Sequence, residues 1–122
     1  MKEILFVGAG SAIGGMLRYL LSRAILVVYH SPFPLATFLI NIAGSFTIGY
    51  LFCISSRQGW SNPGQFLFLA TGLCGGFTTF SAFSYENLLL LRNGQVFTAV
   101  IYILASILLG IAGCFAGYYF GK

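Results

Sequence analysis

The stretch Gly72-Leu73-Cys74-Gly75-Gly76-Phe77-Thr78-Thr79-Phe80-Ser81-Ala82-Phe83-Ser84 concentrates the residues of this 122-residue chain that could do chemistry. Glycine in a helix interior costs about 1 kcal/mol relative to alanine, and β-branched threonine is also a weaker helix former, so a helix is easiest to break here. A break would free carbonyls able to hold a cation and amides able to hold an anion. The same spacing fits a glycine-rich packing seam whose threonines bond back to their own helix, and the residues alone leave both readings open. Phe80 and Phe83 lie three apart, on neighbouring turns of one face. A stripe of this kind is usually core or lipid-facing, but aromatic rings also carry an electropositive edge that can face an anion.

Two more polar lines have helical spacing. Thr37, Asn41 and Ser45 fall at i, i+4 and i+8, with an amide at the centre, and Tyr102 and Ser106 share a register that continues to Gly110. Amide and hydroxyl groups are neutral hydrogen-bond donors, and with no acidic residue among them such lines suit an anion stripped of part of its water. Arg18 lies deep in the first apolar run, where it could line a vestibule and raise the local anion concentration, or pair with Glu86. Catalysis is not indicated: the chain has one histidine and two acidic residues, and its glycine-rich stretches lack the lysine and strand context of phosphate loops.

The elements that position these residues follow from composition. The chain is 58% hydrophobic, 17% aromatic and 7% charged, whereas soluble domains carry about 25% charged residues. Uncharged runs cover 24–56, 58–85 and 93–121, and each exceeds the roughly 20 residues a helix needs to cross about 30 Å of hydrocarbon. The pattern predicts one all-α transmembrane domain over residues 1–122, with spans at about 4–29, 35–55, 65–91 and 96–119. His30-Ser31-Pro32-Phe33-Pro34 closes the first span, since its prolines cannot continue a helix, and His30 is a loop residue. Arg57 to Gly64 forms a polar turn whose Trp60 suits an aromatic belt at the membrane surface, and Asn93-Gly94 makes the last turn. Four helices joined by short connections place both termini on one side.

The net charge of +4 is spread one residue at a time, which excludes a basic patch for nucleic acid. Lys2, Arg57 and Lys122 lie on the side of the termini, and Arg23 and Arg92 on the other. Three against two is almost no bias, so the chain is expected to insert both ways and to assemble as an antiparallel homodimer. Gly10-x-x-x-Gly14 and Gly113-x-x-x-Gly117 are seams for close helix contact, within one chain or between two. Cys53, Cys74 and Cys114 have no metal or disulfide spacing.

Gly10-Ser11-Ala12-Ile13-Gly14-Gly15-Met16-Leu17-Arg18-Tyr19 resembles the G-G-x-x-G-A-x-x-R-Y signature of the Fluc/CrcB fluoride channels, and Gly72 to Phe83 resembles their G-x-C-G-G-F-T-T-F-S-T-F signature. The likeness covers the whole chain. It implies a multi-pass protein of the bacterial inner membrane, acting as an antiparallel dual-topology homodimer with its third helix broken at mid-membrane. It further implies two passive, fluoride-selective pores that export cytoplasmic fluoride, and a structural sodium ion held by the backbone carbonyls of Gly75 and Thr78 from both subunits. By the same resemblance Phe80 and Phe83 form the ring-edge box for fluoride and Asn41 donates to the ion. Ser81, Tyr102 and Ser106 extend the polar track, and Arg18 sits near the vestibule. The departures are at Ser11, which with Ala12 changes packing, and at Ala82, where the family has a threonine beside the pore.

Two other readings have different consequences. A small multidrug exporter also uses four spans and dual topology, but such exporters use a glutamate embedded in the first span, and here that span holds no acid after Glu3. A membrane subunit without transport activity would show no flux once purified. Neither accounts for the motif from Gly75 to Phe83.

Overall fold

A computed structural model describes residues 1–59 and 62–122; Trp60, expected in an aromatic belt, lies outside the described residues. Helix α1 covers Lys2–Val28 and α2 covers Leu35–Gln58. The third span is composite: α3 at Pro63–Phe66, a π-helical segment at Leu67–Cys74, α4 at Gly75–Phe77 and α5 at Phe80–Arg92. Helix α6 covers Val96–Phe120. No strand occurs among the described residues.

Local chemistry sets the ends of these elements. Pro32 and Pro34 follow α1, and Tyr29 closes it by donating its N–H to the Ile25 carbonyl at 2.9 Å. Asn62 caps the third span by accepting the Gly64 N–H at 2.9 Å, with Pro63 at the first helical position, where its missing N–H costs nothing. At the other end Gly94 takes φ 76°, a conformation that favours glycine. The Gln95 N–H then reaches the Leu90 carbonyl at 2.8 Å and the Gly94 N–H reaches Leu91 at 3.2 Å, so the exposed carbonyls are satisfied as the chain reverses into α6.

Four spans are long and apolar enough to cross a membrane: Lys2–Val28, Leu35–Arg57, Pro63–Arg92 and Val96–Phe120. Most of their large apolar side chains face outward, among them Leu20, Val27, Phe97, Leu108 and Phe115. Such a surface requires an apolar solvent, which makes the chain a multi-pass membrane protein.

The spans pack as two pairs. Helix α1 lies along the π-helical segment and α4, while α2 lies along α6. The glycine seams create both contacts within the single chain. A methyl group on Gly10 would meet the Leu73 nitrogen at 2.8 Å and the Gly72 Cα at 3.0 Å, and one on Gly14 would meet the Phe77 nitrogen at 2.8 Å. In the other pair Gly117 faces the Phe46 carbonyl and Gly49 the Cys114 carbonyl. Such close backbone approach is how helices gain dispersion contacts when lipid is as apolar as their own side chains.

Contacts between the connections fix the up-down course. Arg57 Nη1 donates to the carbonyls of Gly121 and Lys122 at 2.7 and 2.6 Å, which brings the end of α2 to the end of α6. Gly64 is buried against the Phe6 ring near the start of α1. At the opposite end Pro32, Pro34, Asn93 and Gln95 line one concavity.

Candidate functional site

Between α4 and α5 two residues leave the helix. Thr78 (φ −86°, ψ 158°) and Thr79 (φ −151°, ψ 124°) are extended, and each threonine side chain satisfies backbone that the departure exposes. The Thr78 hydroxyl donates to the Cys74 carbonyl at 2.9 Å, beside that residue's own N–H at 3.0 Å. Thr79 caps α5, its Oγ1 accepting the Ala82 N–H at 3.1 Å. Thr78 bonds back to its own helix, and Gly72 and Gly76 pack on α1 against Gly10 and Ser11, while the helical path stops at Thr78.

Asn41 of α2 reaches across to this point. Its Nδ2 donates to the Thr79 carbonyl at 3.1 Å and its Oδ1 accepts the Thr79 N–H at 2.9 Å. The two partners fix which way the amide points, because the opposite orientation would set donor against donor and acceptor against acceptor. An amide nitrogen carries two protons, so one N–H of Asn41 remains for another acceptor.

Beside this contact lies a cleft of about 440 Å³ between α2, the third span and α6. Asn41, Phe80, Phe83, Ser106, Gly75 and Thr78 all line it, together with Ser45 and Gly110. No charged residue is among its lining residues. The rings of Phe80 and Phe83 have centroids 5.7 Å apart and planes inclined at 33°. Phe83 is half-buried and Phe80 is 78% exposed on the open side of the cleft. The Ser106 hydroxyl is buried and has no hydrogen-bond partner. A hydroxyl in that state lacks the interaction that would offset its lost hydration, which an acceptor entering the cleft would restore. The arrangement offers a dehydrating ion neutral donors beside two aromatic rings.

Ser81, Tyr102, Arg18 and Thr37, also singled out from the sequence, fall outside the lining. Ser81 is exposed and shares a 3.2 Å hydrogen bond with the Thr79 hydroxyl. Tyr102 is fully buried, with its ring against Phe33 and Phe83, and its hydroxyl donates to Glu86 Oε1 at 2.8 Å. Arg18 lines a separate open concavity with Ser11, Gly15 and Tyr19. Its Nε points to the Gly76 carbonyl at 3.4 Å. The alternative pairing of Arg18 with Glu86 is thereby corrected. Glu86 accepts from two hydroxyls, Tyr102 on one oxygen and Thr37 on the other at 2.8 Å.

Glu86 is the residue that spacing arguments missed. An acid inside a span must find donors at its own depth. The signal was present in the sequence as hydroxyls in neighbouring spans, Thr37 four residues before Asn41 and Tyr102 four before Ser106. Through Thr37 and Tyr102 the polar side chains of α2 and α6 run on past the cleft to this carboxyl group.

Comparison with known proteins places these features in a family. Residues 5–118 match the family model described as CrcB-like protein, Camphor Resistance (CrcB). A protein of Azobacteroides pseudotrichonymphae is 43% identical over 118 residues, covering 97% of this chain and 94% of that protein. One from Flavobacterium psychrophilum is 43% identical over 122 residues, covering 100% and 98%, and one from Methylobacillus flagellatus is 44% identical over 121 residues, covering 97% and 93%. All three carry the name fluoride-specific ion channel FluC, which describes ion conduction and not catalysis.

Proposed function

The chain belongs to the CrcB-like family, and from that premise and the cleft geometry we propose that it is a fluoride-selective passive channel of the bacterial inner membrane, exporting cytoplasmic fluoride to relieve its toxicity. The observation that carries this reading is the convergence of the Asn41 amide, the paired Phe80 and Phe83 rings and the unpartnered Ser106 hydroxyl on one cleft without charged side chains.

Fluoride is small and strongly hydrated, so a pore must replace much of its water without holding the ion too tightly to release. The free N–H of Asn41 and the Ser106 hydroxyl supply neutral donors, and the electropositive edges of Phe80 and Phe83 supply weaker ones. Ser81 and Tyr102 extend the polar track, Tyr102 by turning its hydroxyl proton from Glu86 Oε1 to the passing ion. Arg18 raises the anion concentration at the vestibule, where its side chain borders an open concavity.

The working unit is an antiparallel dual-topology homodimer with two pores. Two observations support it: the near balance of Lys2, Arg57 and Lys122 against Arg23 and Arg92, and the exposure of Phe80 on the unwalled side of the cleft. The third helix is broken at mid-membrane, at Thr78 and Thr79, where irregular backbone is tolerated only if buried in protein or lining a polar cavity.

The residues present fit a sodium ion at the dimer boundary. Helical continuation would satisfy the Gly75 carbonyl from the Thr79 N–H and the Thr78 carbonyl from the Ala82 N–H, but both donors are engaged by side chains. That leaves two hard, neutral oxygens per chain on residues lining the cleft, the donor type suited to a hard monovalent cation. When bound, such an ion adds positive potential beside the anion path.

Expression in a bacterium whose own fluoride channel has been deleted tests the function in cells. Growth in fluoride should be restored by the native chain; a failure of rescue by protein that reaches the membrane would contradict the proposal. The exporter alternative predicts resistance to cationic drugs and none to fluoride.

A further inference from the structure

We infer that Asn41 and the Thr79 side chain form a clamp that holds the Gly75 and Thr78 carbonyls out of the helix, so that Asn41 builds the cation cradle as well as facing the anion path. The inference rests on the sodium reading above and deepens it by naming the residues that keep the cradle open.

A helix that ends leaves its last carbonyls without intrahelical donors, and unless something prevents it the chain can regain them by continuing. Here the competing donors have been removed one at a time. The Thr79 N–H, natural partner of the Gly75 carbonyl, is taken by Asn41 Oδ1 at 2.9 Å, and the same amide grips the Thr79 carbonyl at 3.1 Å. Both polar groups of that peptide neighbourhood are thus fixed from another span. The Ala82 N–H, natural partner of the Thr78 carbonyl, is taken by Thr79 Oγ1 at 3.1 Å. The extended torsions of Thr78 and Thr79 accompany these bonds, since neither N–H can serve two acceptors lying in different directions.

The neighbouring carbonyls are treated differently. Cys74 receives two donors from Thr78, its N–H and its hydroxyl, and Gly76 is approached by Arg18 Nε. Gly75 and Thr78 line the cleft, whereas Gly76 does not. Helix α2 braces the same point a second time: a methyl group on Gly44 would collide with Thr78 Cγ2, so the absent side chain seats the threonine methyl directly on α2. Asn41 and Gly44 stand three apart, on one face, against consecutive residues of the break.

The clamp separates two effects that flux measurements on Asn41 variants would merge. Purified full-length protein is unfolded thermally in sodium chloride and in N-methyl-D-glucamine chloride at equal ionic strength. An ion that binds only the folded protein raises its unfolding temperature with concentration. Asn41→Ala frees the Thr79 N–H to return to Gly75, and Thr79→Val frees the Ala82 N–H to return to Thr78. Each is expected to raise the sodium concentration giving half the stabilisation by about tenfold or more, because the carbonyl it restores to the helix is no longer available. Thr79→Ser keeps the cap and should keep the native sodium response. A native sodium response in both Asn41→Ala and Thr79→Val would overturn the clamp alone. Native protein that ignores sodium would overturn the sodium reading and the clamp with it. Should Asn41→Ala fail to fold, the contrast between Thr79→Val and Thr79→Ser decides, since both leave the Asn41 contacts with the Thr79 backbone in place.

Discussion

Replacing Tyr102 by phenylalanine isolates one hydrogen bond at the heart of the bundle. The side chain is 0% exposed, and its ring lies 5.4 Å from Phe33 and 5.0 Å from Phe83 by centroid, so a phenylalanine ring keeps the packing and only the hydroxyl is lost. That hydroxyl donates to Glu86 Oε1 at 2.8 Å. Hydrogen bonds to charged groups contribute about 1.5–3 kcal/mol in soluble proteins, whereas side-chain bonds within membranes average about 0.6 kcal/mol. Glu86 keeps its second donor, Thr37 Oγ1 at 2.8 Å, so a loss of about 1–2 kcal/mol is expected. Thr37→Val, nearly equal in shape, should cost a similar amount. The double variant leaves the carboxyl group without either protein donor, and its cost should exceed the sum of the two single costs. Equilibrium unfolding in detergent mixtures, followed by circular dichroism, measures all three. Native stability in Tyr102→Phe, or strict additivity in the double variant, would refute the assignment of Glu86 as a carboxyl group held by these two hydroxyls.

Gly10→Ala should destabilise the fold by about 1–3 kcal/mol, since its methyl meets fixed backbone of the third span. Gly8→Ala, with nothing within 4 Å, should be neutral or stabilising by up to about 1 kcal/mol, and equal effects at the two positions in an unfolding titration would contradict the seam. Phe80→Ile should leave the protein folded, because the ring is mostly exposed in the single chain, yet abolish fluoride flux in vesicles. Unaltered flux would remove the ring edges from the mechanism.

Much of the architecture was legible because few physical rules govern a chain in lipid. Apolar runs interrupted by Pro32 and Pro34, by the polar residues from Arg57 to Gly64 and by Asn93-Gly94 mark the four spans, since apart from a closed barrel only a helix satisfies its backbone in hydrocarbon. The meeting of Asn41, Phe80, Phe83 and Ser106 in one cleft was legible only in part. Helical spacing puts each residue on a face, but which faces meet depends on packing between spans. The small-residue seams likewise could not declare their partners, and Gly10 and Gly117 find theirs inside the same chain.

What escaped the sequence has physical causes. The π-helical segment Leu67–Cys74 has no compositional mark, because an ordinary apolar run serves α and π turns alike. In the sequence the opposite charges of Glu86 and Arg18 suggest pairing. Inside the bundle the carboxyl group instead takes hydroxyl donors at its own depth, while Arg18 points to the Gly76 carbonyl. Helical spacing places Asn41 in a polar line suited to an anion and the family resemblance implies that it donates to the ion, but its two bonds to Thr79 join residues 38 apart, beyond the reach of local spacing.

The central claim is selective passive conduction of fluoride, and a vesicle measurement tests it most directly. Purified protein is reconstituted into liposomes loaded with potassium fluoride, a potassium ionophore is added, and external fluoride is followed with an electrode beside a chloride-loaded control. Rapid fluoride efflux without chloride efflux is the predicted result. Absence of fluoride efflux from folded protein, or equal efflux of both anions, would contradict the account.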